Sequence, residues 1–426
     1  MDERASPLRL LPTNPGLAFY VRARRDDHTT ILTALTEGRL PTGVVVDPAL
    51  DDRQRDLIAE SHRLRVETVL DPMAMELATP GGRLRRAAMG LPWSGVAAQA
   101  PATLSGDDGT FLVEALADWA AGRRLRAVLA PSHYIEGPKD PIFAIDRHLA
   151  ARLREALDRR GMSSCAIYYP LAMPLASLRD PGQAMIVANR LGSLDIDGIW
   201  LRFHPFGSTA SGPVSIRRYL AACAALETLN LPLVGERTGA IGLALMAFGS
   251  VSGIECGIGL GERFDMTSLL KPRIQQDAFG PHAMVYVELL RLLMRRDVAT
   301  KFYANGLMRS RFGCKDSSCC PKGPTSTLRD PRRHDFIRRL VEVSSLAEVP
   351  QGLRADHYLE NYLRPATDAA LLASRAEPSL EAARRRLDET RVTLGAIRRQ
   401  GRPTNFVPPP AGRRSSSIAR RKPGLA

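Results

Sequence analysis

The sequence predicts an α/β fold, a (β/α)8 TIM barrel that carries a Cys-rich loop after its eighth strand and helices beyond it. Eight strand-like apolar runs alternate with segments of helical period between residues 17 and 265, a span of about 250 residues that is usual for such a barrel. Polar side chains gather at the ends of these runs, where barrels of this kind hold their chemistry. A doubly wound sheet is the alternative that the same alternation allows.

The eight runs are short, and many of them contain or adjoin Gly, Pro or Asp. They span 17–23, 43–48, 66–72, 127–135, 165–171, 198–206, 231–237 and 252–259. Amphipathic stretches lie between them, and several of these open on Asp or Ser near the expected N-cap. Strand and helix therefore repeat with the period that closes a barrel.

The composition is typical of a soluble globular protein, since 44% of the 426 residues are hydrophobic and 24% are charged. No run of about 18 apolar residues is present, so we expect no contact with a membrane. The opening residues, MDERASPLRL, lack the apolar core of a secretory signal, which predicts a cytoplasmic protein. In that reducing compartment the six cysteines are expected to be free, metal-bound or catalytic.

Basic residues exceed acidic residues by 14, since the chain has 59 Lys and Arg against 45 Asp and Glu. An excess of this size favours a polyanionic partner. Arginine supplies most of the positive charge, and its planar guanidinium is suited to paired contacts with phosphate. Nucleic acid is therefore the expected partner, although part of the excess lies in the C-terminal tail.

Composition and period divide the chain into five predicted regions. These are an N-terminal segment (1–16), the barrel core (17–265), a helix plus a Cys-rich subdomain with a closing helix (266–350), a C-terminal helical region (351–400) and a disordered basic tail (401–426). Within the third region, the first helix is expected over 282–296 and the closing helix over 333–349. The tail is rich in Pro, Gly, Ser and Arg and has little to bury.

The ends of the eight runs are unusually polar. In chain order they offer Arg22 and Arg24, Asp47, Asp71, His133, Tyr134 and Glu136, Tyr168 and Tyr169, Arg202 and His204, Glu236 and Arg237, and Glu255. Carboxylates that converge from different strands can divide the work of nucleophile and general acid or base. Asp71 and Glu255 are the leading catalytic pair. In the plainer reading, Asp71 forms the turn before Pro72 and Glu255 neutralises an arginine such as Arg237.

His133 and His204 raise the question of a catalytic metal. Hydrolase barrels of that kind have several His and Asp ligands, whereas only these two histidines fall at strand ends and no His-x-His pair follows the first strand. We therefore interpret both as hydrogen-bonding substrate contacts or as satisfied core histidines, and metal ligation is the less favoured interpretation.

The stretch GCKDSSCCPKG (313–323) holds three of the six cysteines, Cys314, Cys319 and Cys320, and His334 follows at the start of a predicted helix. The spacing is Cys-x4-Cys-Cys-x13-His. Three thiolates and one imidazole make a closed tetrahedral site for a structural Zn²⁺, with no open position for catalysis. Free or redox-active thiols, with His334 only opening the helix, are the alternative.

An eight-stranded barrel with an acidic-Cys pair at its last strand and a Cys₃His loop after it resembles the tRNA-guanine transglycosylase superfamily, which includes enzymes that place 7-deazaguanine bases in DNA. The family's Phe-Asp-Cys on the eighth strand corresponds here to Ile254, Glu255 and Cys256. Asp71 stands where the family begins Asp-Ser-Gly-Gly-Phe-Gln, but the rest of that run is absent. The Cys-rich loop matches the family's zinc motif in ligand type and order, not in spacing.

The resemblance implies base exchange in tRNA or DNA. Glu255 would attack the anomeric carbon of a flipped-out nucleotide to form a covalent glycosyl-enzyme, and a free modified base would then displace it with retention. Asp71 would donate and accept the protons of the leaving and entering bases. Substrate contacts would come from Tyr168, Arg202, His204, Glu236, Arg237 and His133, with a tyrosine stacked on the base. We also consider a homodimer.

Two other functions fit the same residues. A barrel hydrolase or lyase would bind a small phosphorylated or carboxylated substrate through Arg22, Arg202 and Arg237. A catalytically inactive nucleic-acid-binding barrel would keep the fold as a scaffold after losing its catalytic pair.

Overall fold

The computed structural model describes residues 16–24, 27–79, 89–95, 99–208, 211–259, 262–267 and 284–401. The predicted N-terminal segment lies outside these ranges apart from its last residue. The predicted basic tail lies outside them apart from its first residue.

Eight parallel strands close into a barrel, which confirms the predicted fold class. They are β1 (Ala18–Arg22), β2 (Gly43–Val46), β3 (Glu67–Leu70), β4 (Ala127–Leu129), β5 (Ala166–Pro174), β6 (Gly198–His204), β7 (Leu233–Glu236) and β8 (Gly253–Cys256). Each strand pairs with the next in chain order, and β8 pairs back to β1, with Glu255 opposite Tyr20. The doubly wound sheet is thereby ruled out.

A helix follows each of the first seven strands and covers the outside of the barrel. These helices are α1 (His28–Thr36), α2 (Asp51–Arg63), α3 (Asp107–Gly122), α4 (Ile142–Arg159), α5 (Pro181–Leu191), α6 (Pro213–Leu226) and α7 (Ile241–Ala247). α4 shows why they form, since Leu149, Leu153 and Leu157 recur every four residues and are all buried. α5 starts at a proline, and the Asp180 side chain accepts from the Gly182 N–H at 2.9 Å.

Large aromatic side chains fill the barrel interior on the side of the strand amino ends. Tyr20, Tyr168 and Trp200 are fully buried there, and the ring centroids of Tyr20 and Trp200 are 4.8 Å apart. The hydroxyls of Tyr20 and Tyr168 donate to the two oxygens of Glu67 at 3.0 and 2.8 Å. Gly43 makes room for this layer, because a Cβ at that position would lie 2.7 Å from the Tyr20 ring.

The helix predicted over 282–296 is wrong, because this segment forms an antiparallel hairpin of β9 (Met284–Val287) and β10 (Leu292–Arg295). The first strand reads Met-Val-Tyr-Val, and its β-branched and aromatic residues suit a pleated surface. Arg291 then takes a left-handed φ of 52°, which breaks any continuous helix. The spacing of the apolar residues alone did not distinguish a helix from this hairpin.

Helices follow the hairpin to the end of the described chain. They are α8 (Arg296–Ala304), α9 (Gly306–Phe312), α10 (Pro324–Arg329), α11 (Pro331–Glu348), α12 (Arg354–Tyr358), α13 (Arg364–Ala376) and α14 (Glu381–Arg399). α11 lies where the closing helix was expected and packs on the barrel, with the Phe336 ring centroid 6.1 Å from that of Phe19. Among the described helices, none is both long enough and apolar enough to span a bilayer.

Glu67 gives a test of the barrel interior. Burial raises the pKa of its carboxyl from 4.5 to about 7, against the opposing hydrogen bonds from Tyr168 and Tyr20. A carboxyl whose pKa is higher in the folded state contributes stability below its unfolded pKa and loses that contribution as the pH rises through its folded pKa. Urea unfolding measures this effect. As the pH rises from 4.5 to 8, the free energy of unfolding of Glu67→Gln should increase by up to about 3 kcal/mol relative to that of the native protein.

The matched control is Glu155→Gln on the exposed face of α4. The difference in free energy of unfolding between this variant and the native protein should not change with pH. If the difference in free energy of unfolding between Glu67→Gln and the native protein did not change with pH, this description of the interior would be contradicted.

Candidate active site

Two arginines and three carboxylates from five strands form a charged cluster at the carboxyl ends of the barrel strands. They are Arg22 at the end of β1, Asp71 directly after β3, Arg202 on β6, Glu236 on β7 and Glu255 on β8. Arg22 contacts all three acids. Its Nη1 donates to Asp71 Oδ2 at 2.7 Å and its Nε donates to Glu255 Oε1 at 2.9 Å. Its Nη2 lies 3.4 Å from Glu236 Oε1.

Arg202 joins the same cluster from the opposite side of the barrel. Its Nη2 donates to Asp71 Oδ2 at 2.6 Å, and its Nε donates to Glu236 Oε2 at 2.5 Å. The second oxygen of Asp71, Oδ1, accepts from the Met73 N–H at 3.1 Å. Both oxygens of Asp71 are therefore engaged by donors.

The two arginines affect the three carboxylates unequally. Burial alone would raise the pKa of Asp71, but the charges of Arg202 and Arg22 outweigh it and hold that pKa well below its usual range. The same balance lowers the pKa of Glu236. For Glu255 burial dominates and the pKa is raised, because the charge of Arg22 opposes it only in part and Glu236 adds repulsion. The cluster therefore separates ionised Asp71 and Glu236 from a more basic Glu255.

Glu255 also differs from Asp71 in its free oxygen. Its Oε1 accepts from Arg22, whereas its Oε2 is buried and has no hydrogen-bond partner among the described residues. A buried polar atom without a partner costs free energy, so it is most easily explained by a function that supplies one. Glu236 Oε1 also has no hydrogen bond in the described chain, but it lies 3.4 Å from Arg22 Nη2 and 3.5 Å from Arg237 Nε, and the pKa of Glu236 is lowered. Glu255 combines a free oxygen with a raised pKa, so it is the carboxylate of this cluster best suited to accept a proton or attack a substrate atom.

An apolar wall with an aromatic edge borders the cluster. Its buried members come from the β3, β5 and β8 sides of the mouth, and they are Met75, Ala172, Phe264 and Met266, with Tyr134 packed against them. The His204 ring stands edge-on to Tyr134 with centroids 6.1 Å apart, and its Nδ1 accepts from the Met266 N–H at 3.0 Å. His204, predicted as a substrate contact, therefore lies beside this wall.

The structure does not bring Tyr168 to the mouth. β5 extends to Pro174, so Tyr168 lies early in the strand, where its hydroxyl donates to Glu67 in the fully buried aromatic layer. Tyr169 points to the opposite face and packs against Phe143 of α4, with ring centroids 6.2 Å apart. The predicted stacking tyrosine is thus misplaced, and the tyrosine that does lie at the mouth is Tyr134.

His133 is held by a carboxylate from outside the barrel. Its Nδ1 lies 2.6 Å from Asp146 Oδ1, and its backbone N–H donates to Asp146 Oδ2 at 2.8 Å. Asp146 is on α4, which fixes the imidazole against the helix layer. Within the described residues His133 makes no hydrogen bond or ion pair with the charged cluster, so its predicted substrate contact stays a prediction.

Two parts of the site were missed by sequence reasoning. Arg22 was considered only as an anion clamp, yet it is the residue that joins the three carboxylates. Glu76, in the one-turn helix Ala74–Leu77, is buried, and burial together with the Asp71 charge raises its pKa. The inward alternation of β1, with Tyr20 and Arg22 on one face, was the signal that could have identified Arg22.

The Cys-rich loop brings its predicted ligands together. Sγ of Cys314, Cys319 and Cys320 and a ring nitrogen of His334 lie within 4.8 Å of one another, and all four residues are buried. Cys319 Sγ and Cys320 Sγ are 3.7 Å apart and lie 3.4 and 3.3 Å from His334 Nδ1. A tetrahedral ion with usual Zn–S and Zn–N bond lengths would place such ligand atoms about 3.6–3.8 Å apart. The cluster could therefore hold a metal ion.

The second ring nitrogen of His334 fixes the tautomer that a metal needs. Nε2 lies 3.0 Å from the Tyr286 carbonyl oxygen of β9, to which it donates, and Nδ1 is left free to accept or ligate. The next residue, Asp335, accepts from the Gly259 N–H at 2.6 Å through Oδ2, directly after β8. The Cys₃His cluster thus adjoins a contact that holds the loop following Glu255.

No protein-family model matches the chain, and no curated protein matches its sequence. Among solved structures, the chain is similar to a GH26 β-mannanase from Bacteroides ovatus, with a TM-score of 0.36 and 12% identity over 60% of this chain and 83% of that one. It is also similar to an enolase protein from Sargasso Sea environmental sequencing, with a TM-score of 0.30 and 12% identity over 57% of this chain and 55% of that one.

A third similarity is to the tryptophan synthase α2β2 complex of Pyrococcus furiosus, with a TM-score of 0.30 and 10% identity over 57% of this chain and 88% of that one. Similarities at this level transfer no activity to the chain. The pairing of its own eight strands defines it as a (β/α)8-barrel protein.

Removal of Arg22 should destabilise the protein strongly. Arg22→Met leaves Asp71 and Glu255 with fewer donors in a buried site, and loss of one partner of a buried ion pair typically costs about 3–5 kcal/mol. Urea unfolding at neutral pH measures this cost. Adding Glu255→Gln should recover part of it, because one of the uncompensated carboxylates is then neutral.

The control is Arg63→Met, which removes an exposed arginine paired with Glu60 on α2 and should cost less than about 1 kcal/mol. Equal costs for Arg22→Met and Arg63→Met would show that the charged cluster does not support the barrel mouth.

The Cys₃His cluster predicts one bound metal ion per chain. Elemental analysis of purified protein should find about one equivalent, and Cys319→Ser or Cys320→Ser should lose it, because each removes a thiolate ligand. Cys165→Ser is the control, since Cys165 is buried at the start of β5, away from the cluster. Unchanged metal content in all three variants would contradict the site.

Proposed function

We propose that the chain is an enzyme whose chemistry takes place at Glu255, and that it exchanges a nucleobase in tRNA or DNA by glycosyl transfer. The observation that carries this proposal is the environment of Glu255, a buried carboxylate at a barrel strand end with one oxygen bound by Arg22 and the other without a partner. A nucleophile held in one orientation with a free oxygen is what covalent catalysis requires.

In the proposed reaction, the ionised Glu255 forms a bond from Oε2 to the anomeric carbon while the glycosidic C–N bond breaks. The leaving base takes the bonding electron pair and a proton from solvent. An incoming base then attacks the same carbon, the ester to Glu255 breaks, and the incoming nitrogen loses its proton. Two displacements at one carbon give net retention.

The role of Asp71 differs from that of a proton carrier. Both of its oxygens accept hydrogen bonds and its pKa is held low by Arg202 and Arg22 against burial. Asp71 is therefore better suited to remain ionised and to stabilise positive charge as the sugar approaches an oxocarbenium-like transition state.

The charged cluster also bears on the alternatives. Arg22 and Arg202 are already paired with carboxylates, so they are poorly placed to bind a small anionic substrate of a hydrolase or lyase. A scaffold without activity would have no need to retain an unpartnered oxygen on Glu255. Both observations favour a reaction at Glu255 over these alternatives.

The metal we propose for the Cys₃His cluster is Zn²⁺ in a structural role. Cysteine thiolates and an imidazole are its usual ligands, and four protein ligands leave no position for a substrate. It would fix the loop and the start of α11. Nucleic acid and a free modified base are the proposed partners, with a homodimer in the cytoplasm as the proposed assembly and compartment.

Covalent trapping tests the reaction. Native protein incubated with single-stranded tRNA-derived or DNA oligonucleotides should form an adduct that survives denaturing electrophoresis, and Glu255→Gln should form none, because the amide cannot make the ester. Mass spectrometry of the adduct should locate the sugar on Glu255.

Glu155→Gln on α4 is the matched control and should form the adduct at the native yield. If Glu255→Gln traps as well as the native protein, Glu255 is not the nucleophile. If neither nucleic acid traps while a small anionic compound is turned over, the hydrolase or lyase alternative is favoured instead.

A further inference from the structure

A cavity of about 440 Å³ lies between the loops of the barrel mouth, the β9–β10 hairpin and the C-terminal helices. The mouth contributes Ser208, Ala240 and Glu262 from the segments that follow β6, β7 and β8. The described residues that line the cavity include no member of the charged cluster around Glu255. Its volume is within the range of cavities that hold small molecules. The cavity is therefore a candidate ligand site distinct from the proposed reaction centre.

The walls of this cavity are mainly aliphatic. The hairpin contributes Leu290, Leu292 and Met294, and α14 contributes Leu387. Leu290 and Met294 are buried in the apolar core that the hairpin shares with α8 and α13, whereas Leu292 and Leu387 are only partly buried against that core. An aliphatic ligand would remove the remaining apolar surface of these side chains from water and would add dispersion contacts with the walls.

One stripe of α14 faces the cavity. Ala383, Arg386 and Leu387 all line it, and residues three and four positions apart lie on one face of a helix. Ala382 and Arg385 lie between or beside them in the sequence, but they are exposed and do not line the cavity. Ala383 has the smallest side chain of the stripe, so a larger residue at this position would occupy cavity space.

Two charged residues that line the cavity, Arg291 and Glu262, are buried and already paired. Arg291 Nη2 donates to Glu342 Oε2 at 3.1 Å, and Glu262 accepts from Arg339. Each charge is thus compensated by a partner that does not line the cavity. A ligand therefore has no need to bring a charged group to these two residues.

Two other arginines line the cavity where it is more exposed. Arg295, at the end of β10, is exposed, and Arg386 on α14 is partly exposed. Arg295 pairs with Asp297 at 2.9 Å, but both side chains are 52% exposed, and such surface pairs contribute little. An anionic group at this edge would meet guanidinium donors, whose fork geometry fits the two oxygens of a carboxylate.

We propose that this cavity binds an aliphatic carboxylate. The aliphatic chain would lie between the β9–β10 hairpin and α14, and the carboxylate would lie at the edge that Arg295 and Arg386 line. Both parts of the ligand follow from the lining, which combines aliphatic walls with arginines at the exposed edge. The inference does not depend on glycosyl transfer, because no residue of the charged cluster takes part in it.

Fluorescence titration with dansylaminoundecanoic acid tests binding in the cavity. The emission of this probe should rise with the native protein, because the dansyl group leaves water, and decanoic acid should displace it. Ala383→Trp should weaken binding of the probe at least about tenfold, because an indole at this position fills the cavity. Ala382→Trp is the matched control, since it makes the same change at the neighbouring exposed position, and it should keep the native affinity.

Comparison of decanoic acid with decanol as competitors tests the carboxylate. The native protein should bind the acid at least about tenfold more tightly than the alcohol, and Arg386→Gln should remove most of this preference. Arg385→Gln should keep the preference, because Arg385 is exposed and does not line the cavity. Equal binding of acid and alcohol by the native protein would contradict the carboxylate.

Thermal unfolding separates lost binding from lost folding. Decanoic acid should raise the unfolding midpoint of the native protein and of Ala382→Trp, because a ligand that binds only the folded chain stabilises it. It should leave the midpoint of Ala383→Trp unchanged. If Ala383→Trp does not fold, Leu387→Trp fills the same cavity and replaces it. The inference is overturned if the native protein does not bind the probe, if decanoic acid does not displace it, or if Ala383→Trp and Ala382→Trp bind it equally.

Discussion

Charge compensation in a buried space is the constraint on which the barrel mouth depends. Asp71, Glu236 and Glu255 come from three strands and could not share this volume as bare carboxylates. Arg22 contacts all three, and Arg202 contacts two of them. Because two arginines face three carboxylates and Arg22 donates to only one oxygen of Glu255, the carboxylates are compensated without being fully satisfied. The proposed catalytic role of Glu255 and the structural integrity of the mouth therefore depend on one set of contacts.

The barrel positions this cluster through strand length and alternation. β1 ends at Arg22, which places the guanidinium above the aromatic layer of Tyr20, whereas β5 extends further and leaves Tyr168 below the mouth. α11 adds support from outside. Asp335 holds the loop after β8, and the preceding His334 belongs to the Cys₃His cluster. A metal ion bound by this cluster would thus support the barrel mouth from outside the charged cluster.

Much of this could be predicted from the sequence because the features are local. The eight strands and the Cys₃His ligands follow from apolar runs and from residue types with few other roles. Three features could not be predicted from the sequence. The hairpin at 284–295 has apolar spacing that also fits a helix, Tyr168 was misplaced because strand length decides its depth, and the role of Arg22 depends on partners up to 233 residues away.

The arginines at the barrel mouth keep Asp71 ionised and leave Glu255 as the more basic carboxylate. Carbon-13 NMR titration of side-chain carboxyls measures this directly, with Asp71→Asn and Glu255→Gln assigning the two signals. The Glu255 signal should titrate above the ordinary range for glutamate, whereas Asp71 should stay ionised to the lowest pH at which the protein remains folded. Protonation of Asp71 before Glu255 as the pH falls would contradict it.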